Sequence, residues 1–72
     1  MSDVFVVAFQ GEMIECETGL DAVAIKLADS VLSGREDVSP LELQRLAAIL
    51  DQYDRPIAAQ RLRMQRAGAV MR

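Results

Sequence analysis

Residues 4–17, VFVVAFQGEMIECE, constrain the fold most strongly, because they form two strand-like segments separated by a turn. The first segment, Val4–Phe9, is rich in β-branched and aromatic residues, which suit a pleated sheet. Gln10-Gly11 can make a two-residue turn, since glycine accepts the positive φ that such turns require. Polar and apolar residues then alternate in Glu12–Glu17, which indicates a second strand that runs antiparallel to the first. We therefore predict an N-terminal β-hairpin over residues 4–17.

The two-residue turn also decides which side chains share a face, because directly opposed residues lie on the same side of a sheet. One face is apolar and is the expected core side: Phe5, Val7, Phe9, Ile14 and Cys16. The other face is apolar near the turn and acidic at the open end: Val4, Val6, Ala8, Met13, Glu15 and Glu17. Because both faces carry apolar side chains, the sequence raises the question of what covers the second one.

Three helices are predicted after the hairpin, at about 20–33, 40–53 and 56–67. Thr18 is a fair N-cap for the first helix, and Gly34 ends it. Ser39, followed by Pro40 and Glu42, is a strong start for the second, with an N-cap, a proline at N1 and a capping box. Pro56 separates the second helix from the third, which we expect to end at Gly68. The predicted fold class is α+β: a β-hairpin followed by two or three helices in a single domain, 1–72.

The apolar positions of these helices predict how they pack. In the first helix they span an arc of about 200°, twice the ~100° that one packing surface needs. We therefore expect this helix to touch the hairpin on one side and the second helix on the other, with Leu27 buried. In the second helix, Leu46 lies in the middle of a narrow stripe, whereas Leu41 points to solvent.

A domain of this size gains little stability from its core alone, and small proteins usually add a further stabilising device. Cys16 is the single cysteine, so no internal disulfide is possible, and the chain has no histidine for a common zinc site. Oligomerisation is the remaining stabilising device. We therefore predict that Val4, Val6, Ala8 and Met13 form the interface of a homodimer. A lone cysteine fits a reducing compartment, and we expect a cytoplasmic protein.

Charge is distributed unevenly along the chain. Residues 1–54 hold all 11 acidic side chains and three basic ones, a net charge of −8, whereas residues 55–72 hold five arginines and no acid. The basic segment either packs on the acidic body or binds an acidic partner. We assign Arg61, Arg63 and Arg66 as candidate partner-binding residues. Arg63 and Arg66 share a helix face, while Arg61 points to nearly the opposite side, beside Ile57 and Met64.

No catalytic pattern is present in the sequence. Without histidine, the common Ser-His and Cys-His nucleophile pairs are missing, and Cys16 is expected to be a small buried apolar residue. The longest apolar run, Val4–Phe9, is far shorter than the ~20 residues of a membrane span. We predict a non-enzymatic protein-interaction module without cofactor or metal, acting as a small regulator, inhibitor or adaptor. The alternative is a nucleic-acid-binding regulator that uses the C-terminal arginines, which the scattered arginines and a sequence pI of 4.7 disfavour.

Overall fold

The computed structural model describes residues 4–70, with side chains described up to Gln65. An antiparallel β-hairpin is followed by three helices, so the predicted α+β fold is confirmed. The elements in chain order are β1 (Phe5–Phe9), β2 (Glu12–Cys16), α1 (Gly19–Leu32), α2 (Pro40–Gln52) and α3 (Pro56–Val70).

The hairpin has the predicted register, with Val7 opposite Ile14 and Phe9 opposite Glu12. Gln10 and Gly11 have φ values of 50° and 82°, as a two-residue turn with a positive φ at both positions requires. This turn twists in the same sense as the strands, so it fixes the register and thereby the composition of each face.

The inner face of the hairpin packs mainly on α1, and α1 in turn packs on α2 and, less extensively, on α3. α2 and α3 form the most extensive helix pair. The core combines residues from both strands and all three helices: Val7, Phe9, Ile14, Cys16, Ala24, Ile25, Ala28, Val31, Leu43, Leu46, Ala47, Leu50, Ala59 and Leu62. The predicted core stripe of α2 is thus confirmed, as is the exposure of Leu41.

Local signals start and end the helices largely as predicted. Thr18 Oγ1 accepts from the Asp21 N–H at 3.1 Å, and Ser39 Oγ accepts from the Glu42 N–H at 3.2 Å. Gly34, with φ 81°, follows the end of α1. Asp54, with φ 63°, breaks the chain direction between α2 and α3, so these are two separate helices.

The expected end of α3 at Gly68 is wrong, because the helix continues to Val70. A glycine inside a helix costs about 1 kcal/mol relative to alanine, and it ends a helix only where the chain also turns away. No proline follows Gly68 to enforce that change of direction.

Two predicted core positions are more exposed than expected. Phe5 is on the inner face but 41% exposed, because it lies at the open end of the hairpin against Gly19, which has no side chain to cover it. Leu27 is half-buried instead of buried. On the same helix Leu20 and Val23 are 83% and 67% exposed, so α1 presents part of its wide apolar arc to solvent.

Candidate functional site

The outer face of the hairpin carries the four residues predicted to form a dimer interface. Val4, Val6 and Met13 are 55%, 52% and 66% exposed, and Ala8 is also exposed. Val6 lies opposite Glu15, and Ala8 lies opposite Met13, so the register places these residues on one side of the sheet. The structure therefore brings the four apolar side chains together on a face that the described residues leave uncovered.

β1 also has a free edge. The residues that flank a two-residue turn exchange hydrogen bonds, so Phe9 bonds to Glu12, and the pattern then alternates along the strand. The backbone groups of Val4, Val6 and Ala8 consequently point away from β2. Within the described chain β1 pairs with β2 alone. These outward N–H and C=O groups have the geometry to accept another strand.

A cleft of about 520 Å³ runs beside this free edge. Its walls come from β1, from the flank of α1 and from the loop after α1: Val6, Val7, Ala8, Lys26, Asp29, Ser30, Arg35 and Glu36. The sequence patterns gave no indication that Lys26 and Asp29 line a cleft. Their placement beside β1 depends on how α1 lies on the sheet, which helical periodicity does not specify.

Asp29 ties this cleft to the hairpin turn. One carboxylate oxygen accepts from the Gln10 backbone N–H at 3.0 Å and from Gln10 Nε2 at 2.6 Å. The other lies 3.5 Å from Arg35 Nη2. Asp29 is thus occupied by its own chain, and it holds the turn end of β1 against α1.

The three candidate arginines do not form one surface. Arg63 Nη2 lies 2.9 Å from Asp51 Oδ2, so it pairs with α2 within the same chain. Arg61 is exposed on another side of α3 and lines clefts together with Ile57 and Met64. The side chain of Arg66 lies outside the described residues.

Arg55 joins the α2–α3 connection to the hairpin. Its Nη2 lies 3.1 Å from Glu12 Oε1, and its Nη1 donates to the carbonyls of Asp54 and Tyr53 at 3.1 Å and 3.4 Å. Together with the Arg63–Asp51 pair, this contact supports the interpretation that part of the basic segment packs on the acidic body.

Tyr53 makes a contact that the sequence patterns did not reveal. Its hydroxyl donates to Asp21 Oδ2 at 2.6 Å and accepts from the Glu17 N–H at 2.9 Å. The hydrogen bond to Asp21 raises the pKa of Tyr53, although the Glu17 N–H acts in the opposite direction. This hydroxyl ties the end of α2 to the start of α1 and to the chain that leaves β2.

Cys16 is buried, as expected, on the inner face of β2. Burial, with a smaller contribution from the negative charge of Asp21, raises the pKa of its thiol, which disfavours the reactive thiolate. Among the residues that the structure describes, no group of three or more acidic or cysteine side chains is arranged to hold a metal ion. In the same part of the chain, no helix has the length and apolarity needed to cross a membrane.

The described residues thus define a small α+β domain with an uncovered apolar face, a free strand edge and, on α3, Arg61 exposed beside Ile57 and Met64. Comparisons with known protein families, with curated proteins and with solved structures give no match. The geometry of these surfaces is therefore the basis on which a function can be proposed.

Proposed function

We propose that this protein is a non-enzymatic interaction module that binds another protein and works in the cytoplasm as a homodimer. Its action would be that of a small regulator, inhibitor or adaptor. The observation that carries the proposal is the outer face of the hairpin, where Val4, Val6, Ala8 and Met13 are exposed side by side.

Isolated exposed apolar residues are normal on protein surfaces, but a contiguous apolar patch usually marks an interaction site. Here the patch lies on a two-stranded sheet, which is marginally stable in water unless other elements pack on it. The inner face of this sheet is covered by the helices, and the described residues leave the outer face uncovered. Association of two copies adds buried area without requiring a different protein.

A second surface, on α3, is the proposed site for the partner protein. Ile57, Arg61 and Met64 are exposed at a spacing that places them on one side of the helix. Arginine is frequent among the residues that contribute most to protein interfaces, and flanking apolar side chains can exclude water from its contacts. An acidic partner fits this arrangement. Arg63 contributes less to this proposal than the sequence suggested, because it already pairs with Asp51.

Affinity capture from a lysate of the protein's own cells tests the partner site. We expect wild-type protein to retain a partner protein in stoichiometric amount, and we expect Arg61→Ala to lose it. Arg45→Ala is the matched control, because Arg45 is an exposed arginine on α2 whose ion pair is with Glu42 in the same helix. Retained nucleic acid with a steep salt dependence, in place of a protein, would support the nucleic-acid alternative.

Light scattering tests the homodimer. Val6→Lys places a charge on the outer face and leaves the inner face unchanged. We expect the wild type to be dimeric and the variant to be a folded monomer. Equal masses for the two proteins, both monomeric, would contradict the homodimer.

A further inference from the structure

We propose that two copies associate through the free edges of β1, as an antiparallel pair centred on Val6, and form one four-stranded sheet with the order β2-β1-β1-β2. This inference rests on the proposed homodimer and specifies its geometry. It predicts that the backbone of β1, as well as its outer side chains, makes the contact.

The hydrogen-bonding groups at the free edge of β1 are suited to binding another β-strand. The outward N–H and C=O groups of Val4, Val6 and Ala8 repeat at the spacing of a β-ladder, and a second strand matches them directly. Edge strands are normally protected by a charged residue, a proline or a bulge. Residues 4–9 contain no charge and no proline, and the pairing of β1 with β2 is regular throughout.

The alternation of the ladder determines the register. Outward-pointing residues must face outward-pointing residues, and the longest overlap of two antiparallel copies places Val6 opposite the partner's Val6. Val4 then lies opposite the partner's Ala8, and Ala8 opposite the partner's Val4. Three such pairs supply up to about six N–H···O hydrogen bonds, two for each directly opposed pair.

The distribution of charge favours a second copy as the occupant. Residues 4–9 carry no charged side chain, because Glu12, Glu15 and Glu17 all belong to β2 or follow it. The charged residues of the cleft beside this edge are two basic and two acidic side chains, so they add no net charge: Lys26, Arg35, Asp29 and Glu36. In the four-stranded sheet the two β2 strands are separated by three strand spacings, about 14 Å. That separation exceeds the Debye length of about 8 Å at physiological ionic strength, so repulsion between the acidic strands is largely screened.

The position of α1 is compatible with the same arrangement. Gly19 lies beside Phe5, and Asp29 bonds to Gln10, so α1 runs alongside β1 in the same direction. Leu20, which follows Gly19 in the first turn of α1, is exposed at the same end of the molecule as Phe5. The cleft of about 520 Å³ beside the edge leaves space there for another strand.

A proline at position 6 tests the edge directly. Because the Val6 N–H points away from β2, Val6→Pro removes no hydrogen bond within the hairpin, and proline is tolerated on an edge strand. We expect the dimer dissociation constant to rise about ten- to a hundredfold, from the loss of one central donor per copy. Val6→Thr is the matched control, since it keeps the N–H and a β-branched side chain, and it should remain dimeric. Met13→Lys should also remain dimeric, because Met13 is on β2, away from the seam.

The possible outcomes distinguish the edge-pairing geometry from the existence of a homodimer. A dimer that survives Val6→Pro and is lost in Met13→Lys would overturn edge pairing and leave a homodimer formed across the outer face. A monomeric wild type would overturn both.

Amide hydrogen exchange on the wild-type protein tests the edge pairing even if the Val6→Pro variant does not fold. We expect the N–H groups of Val6 and Ala8 to exchange slowly in concentrated solution and faster on dilution, while that of Val7 stays protected at both concentrations. Val6 and Ala8 amides that exchange rapidly in a solution shown to be dimeric would overturn the edge pairing.

Discussion

The two faces of the hairpin are both rich in apolar residues, yet they have opposite surroundings. On the inner face Val7, Phe9 and Ile14 are buried under the helices, whereas on the outer face Val6 and Met13 are more than half exposed. Neighbouring residues of the same strands form the two faces, so the difference in exposure arises from what packs on each face. An apolar pattern therefore identifies the faces that are expected to be buried. Which of these faces is buried within the chain depends on where its other elements pack.

Replacing neighbouring valines by lysine should give the largest contrast between the faces. Val7→Lys places an unpaired charge in the core, at a cost of several kcal/mol, comparable to the ~3–5 kcal/mol that a core of this size supplies. We expect this variant to be unfolded. Val6→Lys should retain the circular dichroism spectrum of the wild type and a cooperative melt. Two folded variants would mean that the hairpin register is wrong.

Leucines at matched positions extend the comparison to α2. Leu46 is 1% exposed and should lose about 2–5 kcal/mol of unfolding free energy on replacement by alanine. Leu41, on the same helix but exposed, should lose less than about 0.5 kcal/mol. Denaturant titration measures both values, and a larger loss for Leu41 would mean that the packed side of α2 is misassigned.

The N-cap of α2 should have a smaller effect. Ser39→Ala removes the acceptor for the Glu42 N–H and should cost about 1 kcal/mol. In a domain of this length, that loss lowers the melting temperature by about 4–8 °C. Ser33→Ala is a useful control, because Ser33 is exposed at the end of α1, where its hydroxyl makes no hydrogen bond with described residues. Equal melting temperatures for the two variants would contradict the capping role.

Tyr53→Phe should have the smallest effect, and that effect should depend on pH. The variant loses the hydrogen bonds to Asp21 and from Glu17, so it should melt below the wild type at pH 7. Because the folded state raises the pKa of Tyr53, this stabilisation is complete below the ordinary tyrosine pKa of about 10 and is lost as the pH rises through the folded value. The difference between the two melting temperatures should therefore shrink above about pH 10.

Cys16 is present in both proteins, so its own raised pKa largely cancels in this comparison. A difference that stays constant up to strongly alkaline pH would show that the hydroxyl contact to Asp21 does not stabilise the fold.

Much of the fold follows from short-range patterns. The turn at Gln10-Gly11 fixes the strand register through its geometry, and Ser39-Pro40 fixes the start of α2 through its cap. Both features depend only on a few neighbouring residues, so they can be predicted from the sequence alone. The confirmed burial of Leu46 likewise follows from its position in a narrow stripe with one obvious packing side.

The errors occur where packing between distant segments decides the outcome. Leu27 is half-buried because α1 has a wide apolar arc and its contacts with the hairpin and the other helices leave part of that arc open. The Tyr53–Asp21 hydrogen bond joins the end of one helix to the start of another, and no local pattern signals such a pairing. Arg63 illustrates the same point for the candidate site, since its ion pair with Asp51 depends on how α3 packs against α2.

The most direct test of the account is the molar mass of the wild-type protein in solution as a function of concentration. Sedimentation equilibrium or light scattering at about 50 µM should give the mass of two chains, with dissociation on dilution. A mass of one chain, 7.9 kDa, at that concentration, combined with a cooperative thermal melt, would contradict the claim that two copies associate through the hairpin.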